Sequence, residues 1–205
     1  MLDYKKLQKE LYQPSAIKPA LIDVKEMQFL MIDGKGDPNG EAFEIATGAL
    51  YSVAYGLKML PKKGITPDGY VPYVVPPLEG IWDIADGVGY DPRNKDNLVW
   101  TIMIRQPDFV TAQWVDTVIA QNSKKGNPML PNVRLQTQME GLCVQMLHLG
   151  TYDTEPETFE KLAVFAHQQG YTRNSKKHRE IYLSDPRKTV PEKLKTILRF
   201  RVDEL

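Results

Sequence analysis

The sequence predicts an α+β fold assembled from two related halves, and three observations point to it. Strand-like and helix-like periodicity alternate along the 205 residues, with helical segments long enough to lie across a sheet. A shift of 116 residues brings Gly34, Asp37, Glu41, Phe43, Glu44 and Tyr55 onto Gly150, Asp153, Glu157, Phe159, Glu160 and Tyr171 without a gap. A strand, a glycine turn and a helix thus occur twice in register, although carboxylates are common at helix starts and chance matching competes with duplication. Finally, at 42% hydrophobic and 25% charged residues the chain has enough apolar surface for a packed core. Two halves that each lay a helix on a sheet would leave a central crevice between them.

The elements follow in order. Residues 27–34, "MQFLMIDG", read as a strand, and residues 39–60, "NGEAFEIATGALYSVAYGLKML", as a helix with Asn39 as a cap and Pro61 at its end. Phe43, Ala46, Leu50, Val53, Ala54 and Leu57 keep three- and four-residue spacing, which puts an apolar stripe on a sheet. Residues 69–84, "GYVPYVVPPLEGIWDI", read as a strand broken by prolines, and residues 97–107, "NLVWTIMIRQP", as a buried strand. A second helix is expected from about Asp108, a strand over 134–150, and a third helix over 155–170 with Pro156 in its first turn and Gly170 at its stop. Residues 178–185, "HREIYLSD", and 196–203, "TILRFRVD", supply two last strands around a short helical turn in 186–194. One domain over 1–205 is expected, with pseudo-repeats at about 20–107 and 134–203 and an N-terminal helical extension over 1–19.

Composition excludes several function classes. Lys plus Arg equals Asp plus Glu at 26 each, so no global field draws the chain to nucleic acid or an anionic membrane. The apolar runs fall short of the ~20 residues that span a bilayer, and the N-terminus lacks a signal-peptide core, so a cytoplasmic protein is expected. The single cysteine, Cys143, rules out an intramolecular disulfide and a multi-cysteine metal site. His148, His167 and His178 lack metal-ligand spacing, and no spacing sets the thiol beside a base. The glycine-rich "DGKGDPNG" at 33–40 lacks the lysine-serine ending of a phosphate loop. No metal, cofactor or nucleotide is expected.

Four stretches carry a family resemblance: "FLMIDGKGDPN" (29–39), "YVVPPLEGIW" (73–82), "HLGTYDTEPETF" (148–159) and, most specifically, "KHREIYLSDPRKTVPEKLKTILR" (177–199). Nearly the whole chain resembles the stand-alone branch of the GyrI-like small-molecule-binding family. The resemblance implies two strand-helix-strand-strand (SHS2-like) repeats, antiparallel sheets with helices, and a cleft for bulky, flat xenobiotics. Relatives fused to helix-turn-helix domains are effector sensors. The roughly 20 residues before the first strand hold only one short helix in this reading, so direct nucleic-acid binding is not expected. The basic "TRNSKKHR" at 172–179 lacks interleaved aromatics and reads as a solvated loop. A subset of stand-alone members resembling this chain are cyclopropanoid cyclopropyl hydrolases, which open the cyclopropane of yatakemycin-type DNA alkylators inside an aromatic cage. The alternatives are a drug-sequestering protein or an effector-sensing regulator of a partner. The expected partner is a small aromatic ligand, and the expected state a monomer or weak dimer.

Candidate site residues follow from both lines of reasoning. Alternation along 178–185 puts His178, Glu180 and Tyr182 on one strand face and Arg179, Ile181 and Leu183 on the other. Strand geometry leaves two roles open for Glu180: a pocket base, or an ion-pair partner of Arg179 or a lysine across an exposed sheet face. The resemblance implies the pocket, where lost hydration would raise its pKa toward that of a useful base. Trp82 offers the largest flat surface for a wall, with Gly80 permitting a kink beside it. Tyr51, Tyr55, Trp114, Tyr152 and Tyr171 are further wall candidates, and His178 and Glu79 further ligand contacts, although a turn carboxylate such as Glu79 is ordinarily solvated. In the catalytic version Glu180 activates water, and Tyr152 or Tyr182 donates a hydrogen bond to the carbonyl that becomes phenolate.

Overall fold

The computed structural model describes residues 1–85, 87 and 94–205. Its elements are α1 (Tyr4–Leu7), α2 (Lys9–Tyr12), β1 (Ala20–Val24), β2 (Met27–Lys35), α3 (Glu41–Lys58), β3 (Leu78–Ile84), β4 (Leu98–Arg105), α4 (Ala112–Asn122), β5 (Arg134–Gln138), β6 (Gly141–Leu149), α5 (Glu155–Gln168), β7 (Tyr171–Arg173), β8 (His178–Tyr182) and β9 (Lys195–Glu204), with short 3-10 turns between some of them. The architecture is α+β with antiparallel strand pairing, and the chain divides into two compact units.

The first unit comprises Met1–Asp3, Met27–Pro76 and Asp83–Gln138. Strand β2 is its centre, pairing with β4 on one side and β5 on the other. The run Phe29, Leu30, Met31 and Ile32 is buried throughout because both faces of this strand are covered. Helix α3 lays the expected stripe of Ala46, Leu50, Val53, Ala54 and Leu57 into the core. Helix α4 packs against α3 at Gly56, where a Cβ would stand 2.3 Å from Val118 Cγ1. The cap expected at Asn39 is instead Gly40, and the Asn39 side chain bonds Asp37 Oδ1 at 2.9 Å. Helix α4 starts at Ala112, four residues later than expected, because residues 108–109 form a turn after Pro107.

The second unit comprises Tyr4–Glu26, Pro77–Trp82 and Met139–Leu205. Its strands run β1-β6-β9-β8-β3, and β7 pairs with the last residues of β9. Helix α5 covers one face, where Leu162 and Ala166 pack with Val144, Met146, Leu198, Phe200 and Val202. Three expectations are corrected. The strand expected over 134–150 breaks at Gly141 (φ +72°), so β5 belongs to the first unit and β6 to the second. The extension over 1–19 holds two one-turn helices, not one. In the proline-rich stretch only residues from Leu78 onward form a strand, and upstream Tyr73 makes an isolated bridge to Leu2. Two of the residues matched at 116 spacing occupy different settings. Gly34 lies within β2 while Gly150 follows β6, and Tyr55 is helical while Tyr171 opens β7. No helix among the described residues is long and apolar enough to cross a membrane.

Candidate functional site

The site is built on the β3–β8 pair of the second unit. The register sets Gly80 opposite Glu180 and Trp82 opposite His178. Residues directly opposite in an antiparallel pair share a face, so Gly80, Trp82, His178, Glu180 and Tyr182 lie together. The alternation read from the sequence therefore holds in the structure. Trp82 Nε1 donates to the Tyr182 hydroxyl at 2.8 Å, and that hydroxyl donates to Glu180 Oε2 at 2.8 Å. His178 Nε2 lies 3.0 Å from Glu180 Oε1. Glu180 thus sits at the end of a polar chain that fixes both carboxylate oxygens.

Gly80 does not kink the strand; it makes room. A Cβ there would stand 2.7 Å from Trp82 Nε1 and 3.2 Å from the Tyr182 hydroxyl, so only a bare Cα lets the indole fold back over the strand to meet the phenol.

A second carboxyl, absent from the sequence reading, completes the arrangement. Glu155 is the first residue of α5, is only 6% exposed, and lies near enough to Glu180 for the two carboxyls to act on each other electrostatically. Like charges this close disfavour ionisation of the buried one. Burial, followed by the charge and hydrogen bond of Glu180, pushes the Glu155 pKa far above the usual carboxylate range. The helix N-terminus favours an anion at this position, but burial and the neighbouring carboxylate outweigh it and favour the protonated form of Glu155. Its Oε1 is buried with no hydrogen bond to a described residue.

Aromatic rings surround the pair. Tyr152 stands edge-on to Tyr182 with centroids 6.1 Å apart, and Phe159 edge-on to His178 at 4.7 Å. The Arg173 guanidinium lies over Phe159 and Phe200. Burial, then the charges of Glu180, Glu155 and Asp185, push the Tyr152 phenol up to about 12, and burial with Glu180 pushes Tyr182 up as well. Both phenols keep their protons at neutral pH. The Tyr182 hydroxyl is engaged on both sides, whereas Tyr152 is 39% exposed. The arrangement combines a proton acceptor, a neutral carboxylic acid and a phenol beside apolar rings, which is the equipment for moving protons to and from an uncharged molecule.

Glu79 lies on the other face. With Arg179, Glu140 and Arg199 it forms a buried quartet: Arg179 Nη1 to Glu79 Oε2 at 2.8 Å, Arg179 Nε to Glu140 Oε2 at 3.2 Å, and Arg199 Nη1 to the same oxygen at 2.8 Å. Arg179 and Arg199 are directly opposite on β8 and β9, and Glu140 bridges the two like charges. Burial works against the Glu140 carboxylate, but the two guanidiniums overcome it and its pKa is lowered. Arg179 thus pairs with Glu79 and Glu140 on the face opposite Glu180, and Glu79 is a structural ion-pair member in this geometry rather than a ligand contact. Tyr171 is also elsewhere: it pairs with Glu204 and packs on the α5 core, roughly 20 Å along β9 from the residue opposite Glu180. Tyr51, Tyr55 and Trp114 belong to the first unit, where Tyr51 and Tyr55 stack at 6.1 Å on α3 and Trp114 is half-buried on α4. Among the described residues no group of three or more His, Cys, Asp or Glu side chains is placed to hold a metal ion.

The profile of the GyrI-like small molecule binding domain matches residues 17–203. The chain belongs to the GyrI-like small-molecule-binding family. Three solved structures from Listeria innocua are closely similar. An uncharacterized conserved protein is 42% identical over 99% of this chain and 100% of its own, with a TM-score of 0.93. A protein described as a hydrolase is 42% identical over the same shares, with a TM-score of 0.89. Another described as a hydrolase is 43% identical over 98% of this chain and 99% of its own, with a TM-score of 0.91. No curated protein matches the sequence.

Proposed function

We propose that this GyrI-like protein binds bulky, flat aromatic xenobiotics over the Glu180 face of β8 and hydrolyses the cyclopropane of yatakemycin-type DNA alkylators, thereby protecting the cell. The observation that carries the reading is Glu180 with both carboxylate oxygens fixed, one by Tyr182 and one by His178, and the buried Glu155 near it favouring its protonated form. The two Listeria relatives described as hydrolases support a hydrolytic role.

In the proposed reaction a water molecule loses a proton to Glu180 while its oxygen bonds to the cyclopropane methylene. The carbon–carbon bond breaks, and its electron pair runs through the conjugated ring to the carbonyl oxygen. That oxygen accepts a hydrogen bond from Tyr152 as its charge develops, since the raised pKa keeps that phenol protonated, and becomes phenolic by taking from solvent one proton, while Glu180 returns to solvent the one it took from the attacking water. Tyr182 is assigned to orienting Glu180, because its own proton is already given to Oε2. Trp82 and His178 form walls of the binding surface.

A binding-only protein, sequestering drugs or reporting on them to a partner, would use the same rings, and the family's small-molecule-binding character supports that second reading. Incubation with a cyclopropanoid in ¹⁸O-labelled water separates the two. A product heavier by one labelled water supports hydrolysis, and unchanged substrate recovered from a saturated complex supports binding alone.

A further inference from the structure

His148 is buried on β6, 4% exposed, and takes no part in the chemistry above. Its ring nevertheless makes specific bonds to the segment that carries Tyr152 and Glu155. Nε2 lies 2.9 Å from the Thr151 carbonyl oxygen, which can only accept, so Nε2 bears the proton. Nδ1 is then the acceptor for the Thr158 hydroxyl at 2.8 Å. Thr154 Oγ1 stands 3.2 Å from Nε2 and donates to the same Thr151 carbonyl at 2.9 Å. Gly150 leads the chain into this clasp at φ +130°, where a Cβ would stand 3.2 Å from Thr154 Oγ1.

Thr151 precedes and Thr154 ends the 3-10 turn that presents Tyr152, and Thr158 sits one turn along α5 from its first residue, Glu155. No side chain caps this helix start, so the imidazole supplies the tie that caps supply elsewhere. We propose that His148 is the positioning residue of the site: it locks the 151–158 segment onto β6 and so holds Glu155 against Glu180 and Tyr152 beside them. This rests on the reading of Glu155 as a protonated carboxyl near the base Glu180.

Infrared spectroscopy of the whole protein reads that pair without any substrate, through the carbonyl stretch of a protonated carboxyl, assigned by its disappearance in Glu155→Gln. Thr158→Val keeps the volume and removes the hydroxyl; His148→Leu removes both ring bonds; His148→Gln retains an amide donor for Thr151 and an oxygen for Thr158. Thr158→Val and His148→Leu are expected to shift or abolish the band, and His148→Gln to keep it. Cyclopropanoid turnover should fall ~10-fold or more in the first two and recover in the third, since small misplacements of reacting groups cost that much. A wild-type band in both Thr158→Val and His148→Leu overturns the proposal. If His148→Leu does not fold, Thr158→Val decides alone. Absence of any Glu155-dependent band in the wild type overturns the protonated reading of Glu155 and this inference with it, whereas a band without turnover removes only the hydrolase reading.

Discussion

Replacing Glu155 by Gln should make the protein more stable at alkaline pH while leaving its stability in mild acid nearly unchanged. The wild-type carboxyl holds its proton in the folded state far above its ordinary value of 4.5. A group with a raised folded pKa stabilises the fold fully below the unfolded pKa and loses that contribution as pH rises toward the folded one. Each pH unit in that window costs about 1.36 kcal/mol, so the ceiling between pH 5 and pH 8 is about 4 kcal/mol. Interacting groups titrate together rather than singly, so a net figure of about 2 kcal/mol, half that ceiling, is expected. Gln is neutral at every pH and fits the same contact with Glu180, so the slope should vanish in the variant. For a chain of this size the gain corresponds to roughly 4–8 °C in Tm at pH 8. The assay is thermal and urea unfolding of both proteins from pH 5 to pH 9, followed through Trp82, the one tryptophan of the second unit. Parallel stability curves for the two proteins would refute the buried, protonated assignment of Glu155.

Other expectations follow from the same geometry. Gly80→Ala should cost about 1–3 kcal/mol by overpacking and should weaken turnover, because the new methyl stands where the Trp82 indole meets Tyr182; calorimetry with a rate assay checks both. Glu79→Gln should cost about 3 kcal/mol, the range for breaking a buried ion pair, with little effect on ligand affinity; a large affinity loss in a stable protein would restore Glu79 as a ligand contact. A flat hydrophobic drug should quench Trp82 saturably with a dissociation constant in the ~µM range, measured with Trp100 and Trp114 replaced by Phe; unsaturable quenching would remove the proposed binding surface.

The sequence made the β8 side of the site legible because strand alternation is a short-range rule. Once 178–182 is a strand, His178, Glu180 and Tyr182 must share a face. Applied to β3, the same rule separates Glu79 from Trp82 by three positions and puts them on opposite faces. The prolines at 76 and 77 disguised the strand start, so the two residues looked like neighbours. Glu155 was hidden for a different reason: a carboxylate in the first turn of a helix is explained by the dipole alone, and only the packing of α5 on the sheet brings it to Glu180. The stop of α5 at Gly170 was readable from its residue type, but the strand that follows, which carries Tyr171 away from the carboxyl pair, spans three residues and leaves no periodic signal. Glycine's role at position 80 needed the third dimension, since a turn glycine and a glycine beneath an indole look the same in sequence.

The central claim is that Glu180 is the base that activates water on a bound aromatic cyclopropanoid. Single-turnover rates for wild type and Glu180→Gln, with ligand affinity measured in parallel by Trp82 quenching, test it most directly. Gln keeps the size and much of the hydrogen bonding but cannot accept the proton, so the rate should fall by ~10²-fold or more while affinity changes little. Equal rates in the two proteins would contradict the claim outright.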